Sequence, residues 1–324
     1  MVMLSVIDPG PMTTVQDLGR VGAQRLGIPV SGAVDQPALI VANQLVENDP
    51  SAACLEATLR GPVLDAMGET CVAVTGAEAA PRLNGKPFPM WEAVRLRSGD
   101  RLSVGLAKRG VRLYVAVAGG IDVPLVLGSR STYVAGRLGG FEGRPLRLGD
   151  SLSTGEPRAP LETVEGRRVR PDLVPAFSRD MTLRVILGPQ DERFTRSGTE
   201  TLLSETYKVT PEADRMGYRL FGPVIEQARG HDIISEGVAF GSIQVAGDRQ
   251  PIILLADRQT TGGYAKIATV ISVDLPLIAQ ARPGDRVRFR AVSLEEAHRL
   301  LRERAGRLVP FQLFTPIRDS PRPE

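Results

Sequence analysis

At 324 residues the chain exceeds the roughly 250 residues at which single hydrophobic cores stop growing, so two domains are expected. Hydrophobic residues at 42%, charged residues at 24% and a mean hydropathy of -0.05 fit a soluble globular chain and exclude a disordered one. The net charge of +3 rests on arginine, with lysine only at Lys86, Lys108, Lys208 and Lys266; aromatics are 5% and no basic run is interleaved with them, so no nucleic-acid partner is expected.

Residues 1–8 alternate apolar and polar side chains and run into Pro9-Gly10-Pro11, which reads as a strand and not as a secretory signal. No stretch approaches the roughly 18 to 20 apolar residues that span a bilayer. A cytoplasmic protein without a membrane partner is therefore expected. Residues 13–35 form a long glycine-spaced segment carrying Asp17, Arg20, Arg25 and Asp35, a candidate binding loop. It is no dinucleotide fingerprint, because Gly19-Arg-Val-Gly22 lacks the required spacing and a following helix. Asp35 is placed as the N-cap of a helix over residues 36–46.

From there the chain is punctuated by 34 glycines and 25 prolines, the rhythm of an all-β sandwich or barrel. Strands are predicted at 4–7, 71–75, 101–106 and 112–118 in the first half. Cys54 and Cys71 have neither CxxC spacing nor a neighbouring histidine and read as buried thiols, and with only His231 and His298 present no metal site is expected. Residues 151–179, rich in Arg, Glu and Pro, read as a crossing segment, and the boundary falls at 178, giving units 1–178 and 179–324.

In the second half strands are predicted at 183–187, 252–256, 269–273 and 286–291, and a helix at 293–305 opened by a Ser293/Glu296 capping box. The halves resemble each other. Leu4-Ser-Val-Ile-Asp-Pro-Gly-Pro11 matches Leu183-Arg-Val-Ile-Leu-Gly-Pro189, Gly61-Pro-Val-Leu64 matches Gly222-Pro-Val-Ile225, and Ser98-Gly-Asp-Arg101 matches Pro283-Gly-Asp-Arg286, in the same order. Two β-rich units of one design follow, with chance similarity of short Gly-Pro runs as the alternative.

Two segments could carry chemistry. In residues 207–220, Asp214 and Arg215 could anchor an anionic substrate beside Gly217, or form a surface ion pair at a turn. Residues 256–268 form a polar, Gly-Gly-containing connection expected between two apolar strands. There Gln259, Thr260 and Thr261 could orient an amide, and N–H groups around Gly262 and Gly263 could stabilise an oxyanion. Lys266 is expected to be partly desolvated, as electrophilic anchor or proton donor, or else to snorkel from a strand edge. Asp257 is its expected counter-ion, with Glu236 and Gln244 completing a polar wall. The chain lacks a Walker phosphate loop, a GxSxG elbow and HExxH, so any ATP would be bound by a partner.

Val15-Gln-Asp-Leu-Gly-Arg20 with Ser31-Gly-Ala-Val-Asp35, Ala118-Gly-Gly-Ile-Asp122 with Leu127-Gly-Ser-Arg-Ser-Thr-Tyr133, Ala213-Asp-Arg-Met-Gly-Tyr-Arg-Leu220, and Leu255-Ala-Asp-Arg-Gln-Thr-Thr-Gly-Gly-Tyr264 with Lys266 stand in one order. Together they resemble the biotin-dependent carboxyltransferase, or KipA-like, family, associated with the C subunit of bacterial ATP-dependent 5-oxoprolinase. That family is similar to allophanate hydrolase subunit 2 and to the carboxyltransferase part of urea carboxylase.

The resemblance implies a mainly β fold of two tandem cyclophilin-like β-barrel units with a few short helices. It implies two partners, the KipI-like B subunit of 5-oxoprolinase and its A subunit. It further implies a small-molecule amide substrate and hydrolytic ring opening of 5-oxo-L-proline to L-glutamate. ATP would be used by the complex, no cofactor would be bound by this chain, and biotin could be carried by a partner. A substrate-site role is implied for Asp214, Arg215, Met216, Gln259, Thr260, Thr261, Gly262, Gly263, Tyr264 and Lys266, although Ala265 stands where the family often has proline. Two alternatives stay open: carboxyl transfer from carboxybiotin to urea or a related amide, and a regulatory protein that binds a KipI-like kinase inhibitor.

Overall fold

A computed structural model describes residues 2–308 and 313–315. The chain is mainly β. In the first half a six-stranded sheet runs in the order Ser151–Ser153, Met3–Asp8, Val63–Ala66, Arg101–Ser103, Arg82–Leu83, Lys86–Pro87. A five-stranded sheet runs in the order Thr13–Gln16, Cys54–Thr58, Arg109–Val117, Thr70–Glu78, Ala93–Leu96. Strand alternation sends Leu4, Val6 and Leu64 of the first sheet against Leu55, Val74 and Val115 of the second, a single core between two layers.

The other face of the five-stranded sheet is covered by the helix Gln36–Leu45, whose Leu39, Ala42 and Leu45 pack on Cys71, Ala73 and Ala116. A sheet buried on both faces needs apolar residues at consecutive positions, which is why Thr70–Glu78 is enclosed at every position but its last. Both cysteines are buried, free thiols, as expected. Asp35 caps the helix, its Oδ1 accepting from Ala38 N at 3.2 Å.

The second half closes into a seven-stranded barrel, ordered Asp180–Leu187, Lys266–Val270, Ser242–Val245, Pro251–Leu254, Gly217–Phe221, Tyr207–Ala213, Arg286–Ala291. The parallel pairing of Arg286–Ala291 with Asp180–Leu187 seals it around Leu183, Val185, Ile243, Ile253 and Phe289. Asp232–Gly237 and Thr261–Tyr264 stand apart as a two-stranded ribbon. The helix predicted at 293–305 spans Leu294–Arg307, with Ser293 Oγ accepting from Glu296 N at 3.2 Å.

Two sequence expectations are corrected. The strand placed at 269–273 lies at Lys266–Val270, so Lys266 is inside a barrel strand and not on the connection before it. The crossing segment starts later than 151, because Ser151–Ser153 pairs with Met3–Asp8. Of the internal matches, the first ends a strand in each half and the third is the turn before Arg101–Ser103 and before Arg286–Ala291; Gly61-Pro62 precedes a strand, whereas Gly222-Pro223 does not. Among the described residues no helix is long and apolar enough to cross a membrane.

Candidate functional site

Lys266 opens its barrel strand opposite Gln244, and a register shift in that pairing separates it from Ala268, which pairs with Ile243 of the core. Its backbone is tied to Gln190 in both directions, Lys266 N donating to Gln190 Oε1 and Gln190 N donating to Lys266 O, each at 3.1 Å. The residue is only 2% exposed. Its ammonium lies 2.5 Å from Glu236 Oε1, a close ion pair. Glu236 sits on the ribbon and also accepts from Gln190 Nε2 at 2.7 Å. Lys266, and after it Gln190, hold the Glu236 carboxyl below its ordinary value.

Gln244 pairs opposite Lys266 in the neighbouring strand and is buried. Its Nε2 donates to Tyr264 O at 3.4 Å, and its Oε1 accepts from Gln259 Nε2 at 3.5 Å. Gly262 comes so close that a Cβ there would lie 2.6 Å from Gln244 Nε2. Gln259 Oε1 is buried without a hydrogen-bond partner. An unfilled buried polar atom costs about 1–3 kcal/mol, and one beside the Lys266–Glu236 pair suits a site that a polar ligand completes. Donors and acceptors of this kind can hold a planar amide and stabilise negative charge on its carbonyl oxygen.

The structure thus brings together Lys266, Glu236, Gln244, Gln259 and Gly262. Thr261 and Tyr264 are exposed on the ribbon strand Thr261–Tyr264, with Thr260 and Gly263 half-buried beside them. The expected loop is therefore half strand. Gln190, which bridges Lys266 and Glu236, was missed; its only sequence signal was a position just after the strand Asp180–Leu187.

The remaining predicted residues form a different constellation, at the junction of the two halves. Asp257 is not the counter-ion of Lys266: its carboxylate meets Arg215 Nε at 2.8 Å and Nη2 at 3.1 Å. Arg215 is not open to a substrate either. It is buried, with Nη1 2.5 Å from Glu56 Oε1 and Nη2 donating to Gly32 O at 2.7 Å. Burial alone would depress its guanidinium, but Asp257 and Glu56 outweigh that and hold it charged. Burial likewise pushes the Glu56 carboxyl up, and Arg215 with Arg112 more than reverses it.

Asp214 spends its carboxylate on its own turn, accepting from Met216 N at 2.7 Å and Gly217 N at 3.2 Å, and Met216 is exposed. Asp17 is consumed by Ser129 Oγ at 2.7 Å, Arg130 N at 2.6 Å and Gly19 N at 2.8 Å, so it pins the first-half loop instead of facing a ligand. Arg20 is completely enclosed and donates to Ser131 O, while its Nε and Nη1 are buried without a hydrogen-bond partner. Asp35 caps its helix and accepts from Gln280 Nε2 at 2.8 Å. A cleft of about 830 Å³ does lie between the halves, but it is lined by Lys108, Arg109, Phe177, Arg179, Gln280 and Arg282 among others, and by none of the predicted site residues.

Among the described residues no group of three or more His, Cys, Asp or Glu is placed to hold a metal ion.

Residues 26–291 match the family described as the carboxyltransferase domain, subdomain A and B. The chain is 38% identical over 297 residues to the 5-oxoprolinase C subunit of Escherichia coli, covering 91% of this chain and 93% of that one. It is 36% identical over 301 residues to the 5-oxoprolinase C subunit of Haemophilus influenzae, covering 93% and 95%. The crystal structure of Kluyveromyces lactis urea carboxylase superposes with a TM-score of 0.90 at 32% identity, over 98% of this chain but 31% of that longer one.

Proposed function

The chain belongs to the carboxyltransferase-domain family, subdomain A and B, and from that membership we propose that it serves as the C subunit of a 5-oxoprolinase complex, where it contributes to the hydrolytic ring opening of 5-oxo-L-proline to L-glutamate. The supporting observation is the buried Lys266, set beside Glu236 with the carboxamides of Gln190, Gln244 and Gln259 around it. The carboxamides orient the cyclic amide. Lys266 stabilises the charge that grows on the ring carbonyl oxygen as it is attacked, an interaction stronger in the transition state than in the ground state.

The chain carries no phosphate-binding loop, so ATP is handled in the cytoplasm by the two partners, the KipI-like B subunit of the complex and its A subunit. Co-expression with both partners followed by measurement of glutamate from 5-oxoproline, with and without ATP, tests this. ATP-dependent glutamate formation that requires this chain is expected; full activity of the partners without it would contradict the assignment.

The 0.90 superposition on urea carboxylase favours a second reading, carboxyl transfer to urea or a related amide from carboxybiotin borne by another protein. Avidin separates the two. It would abolish carboxyl transfer and leave ring opening untouched.

A further inference from the structure

Glu56 belongs to the first half, on the strand Cys54–Thr58, and is enclosed. A carboxylate in that position is costly unless both oxygens are matched. Oε2 accepts from Tyr114 Oη at 2.8 Å and from Val34 N at 3.0 Å, while Oε1 meets Arg215 at 2.5 Å. Arg215 belongs to the second half, on the turn between Tyr207–Ala213 and Gly217–Phe221. Its fork therefore has one side anchored on first-half atoms, Glu56 Oε1 and Gly32 O, and the other on Asp257. Asp257 is also fixed by its backbone, its N–H donating to Arg215 O at 2.8 Å, and the neighbouring Ala256 O accepts from Ser31 N of the first half at 3.1 Å.

We propose that Glu56 and Arg215 act as positioning residues, a clamp through which the first half sets the placement of the segment from Asp257 to Gly262 beside Lys266. The guanidinium is planar with a fixed fork. Once two of its nitrogens are anchored in the first half, the third direction is determined, and Asp257 can take only one place. Two residues further on is Gln259, whose carboxamide meets Gln244, and the ribbon strand that packs Gly262 against the same carboxamide follows. A lysine at 215 could hold one of these partners but not all. The effect on turnover rests on the catalytic reading of Lys266; the effect on the segment itself does not.

The test uses the full chain in its complex. Glu56→Gln combined with Arg215→Met removes one charge of each sign, so the net charge of the cluster is kept, with Asp257 and Arg112 remaining. Arg215→Lys keeps the charge and loses the fork. Hydrogen exchange at amides 257–262 should quicken about tenfold or more in both variants, while the first-half strand Thr70–Glu78 keeps its protection. Turnover of 5-oxoproline should fall about tenfold or more through kcat, with KM moving little, since misplacement of a site group by a fraction of an ångström acts on the chemical step. Unchanged exchange across 257–262 overturns the proposal. So does loss of protection throughout the chain in both variants, which would make the network only a structural staple. Faster local exchange with wild-type turnover upholds the clamp and removes Lys266 from catalysis instead.

Discussion

Lys266 and Glu236 lie 2.5 Å apart, yet their side chains are 3% and 45% exposed, so the pair joins an enclosed position on a barrel strand to the open face of a ribbon. The glutamate closes over the chain's one buried lysine, and an anionic or carbonyl oxygen reaching that ammonium must take the glutamate's place.

That contact predicts a pH dependence. Lys266 and Gln190 lower the Glu236 pKa from 4.5, so the pair's contribution is complete above the ordinary carboxylate range and is lost as pH falls through the lowered value. Hydrogen exchange of the Asp232–Gly237 ribbon strand, corrected for its intrinsic pH dependence, should stay flat from pH 7 to about 5 and lose protection in more acid solution. In Glu236→Gln the acid step should be absent. A step of equal size in both proteins would assign the change to another group.

Asp35 predicts the opposite sign. Burial, only partly offset by Gln280, raises its pKa from 3.8 to about 6. Between those values the folded chain keeps a proton that the unfolded chain has released, so this group's contribution to stability falls as pH rises from about 4 to 6 and then levels off. Asp35→Asn removes that slope whatever its absolute stability. Between pH 4 and pH 7 the unfolding free energy from denaturant titration should shift in favour of the variant by up to roughly 3 kcal/mol; parallel curves would contradict it.

Arg215→Ala leaves Glu56 enclosed without its main counter-charge. The expected loss is about 3–5 kcal/mol in urea unfolding. Adding Glu56→Gln should recover part of it, an outcome a simple loss of packing would not produce.

Gly262→Ala tests the carboxamide wall. The new Cβ would sit 2.6 Å from Gln244 Nε2 and 3.1 Å from Val238 Cγ2, so the amide must turn away. Turnover by the complex should drop about tenfold while the melting temperature moves little.

Much of the fold was legible because strand rhythm, turn glycines and two helix caps are local signals; Asp35 and Ser293 cap as their sequence positions indicate. Lys266 was legible as a desolvated cation because Ile267, Ala268 and Val270 surround it in sequence. Its partner was not. Asp257 is nearer in sequence, but the ribbon pairing delivers Glu236, and Asp257 is captured by Arg215 at the end of the pairing between Gly217–Phe221 and Pro251–Leu254. Glu56 left one clue, a lone carboxylate in the otherwise uncharged strand Cys54–Thr58, but its partner lies 159 residues away and no local pattern connects them.

The most direct measurement is turnover of 5-oxoproline by the complex containing Lys266→Ala, with the folded state checked by its melting temperature. Loss of about a hundredfold or more with the fold intact is predicted, the size expected when a donor to a developing oxyanion is removed. Wild-type turnover from that variant would contradict the assignment of catalysis to the buried lysine.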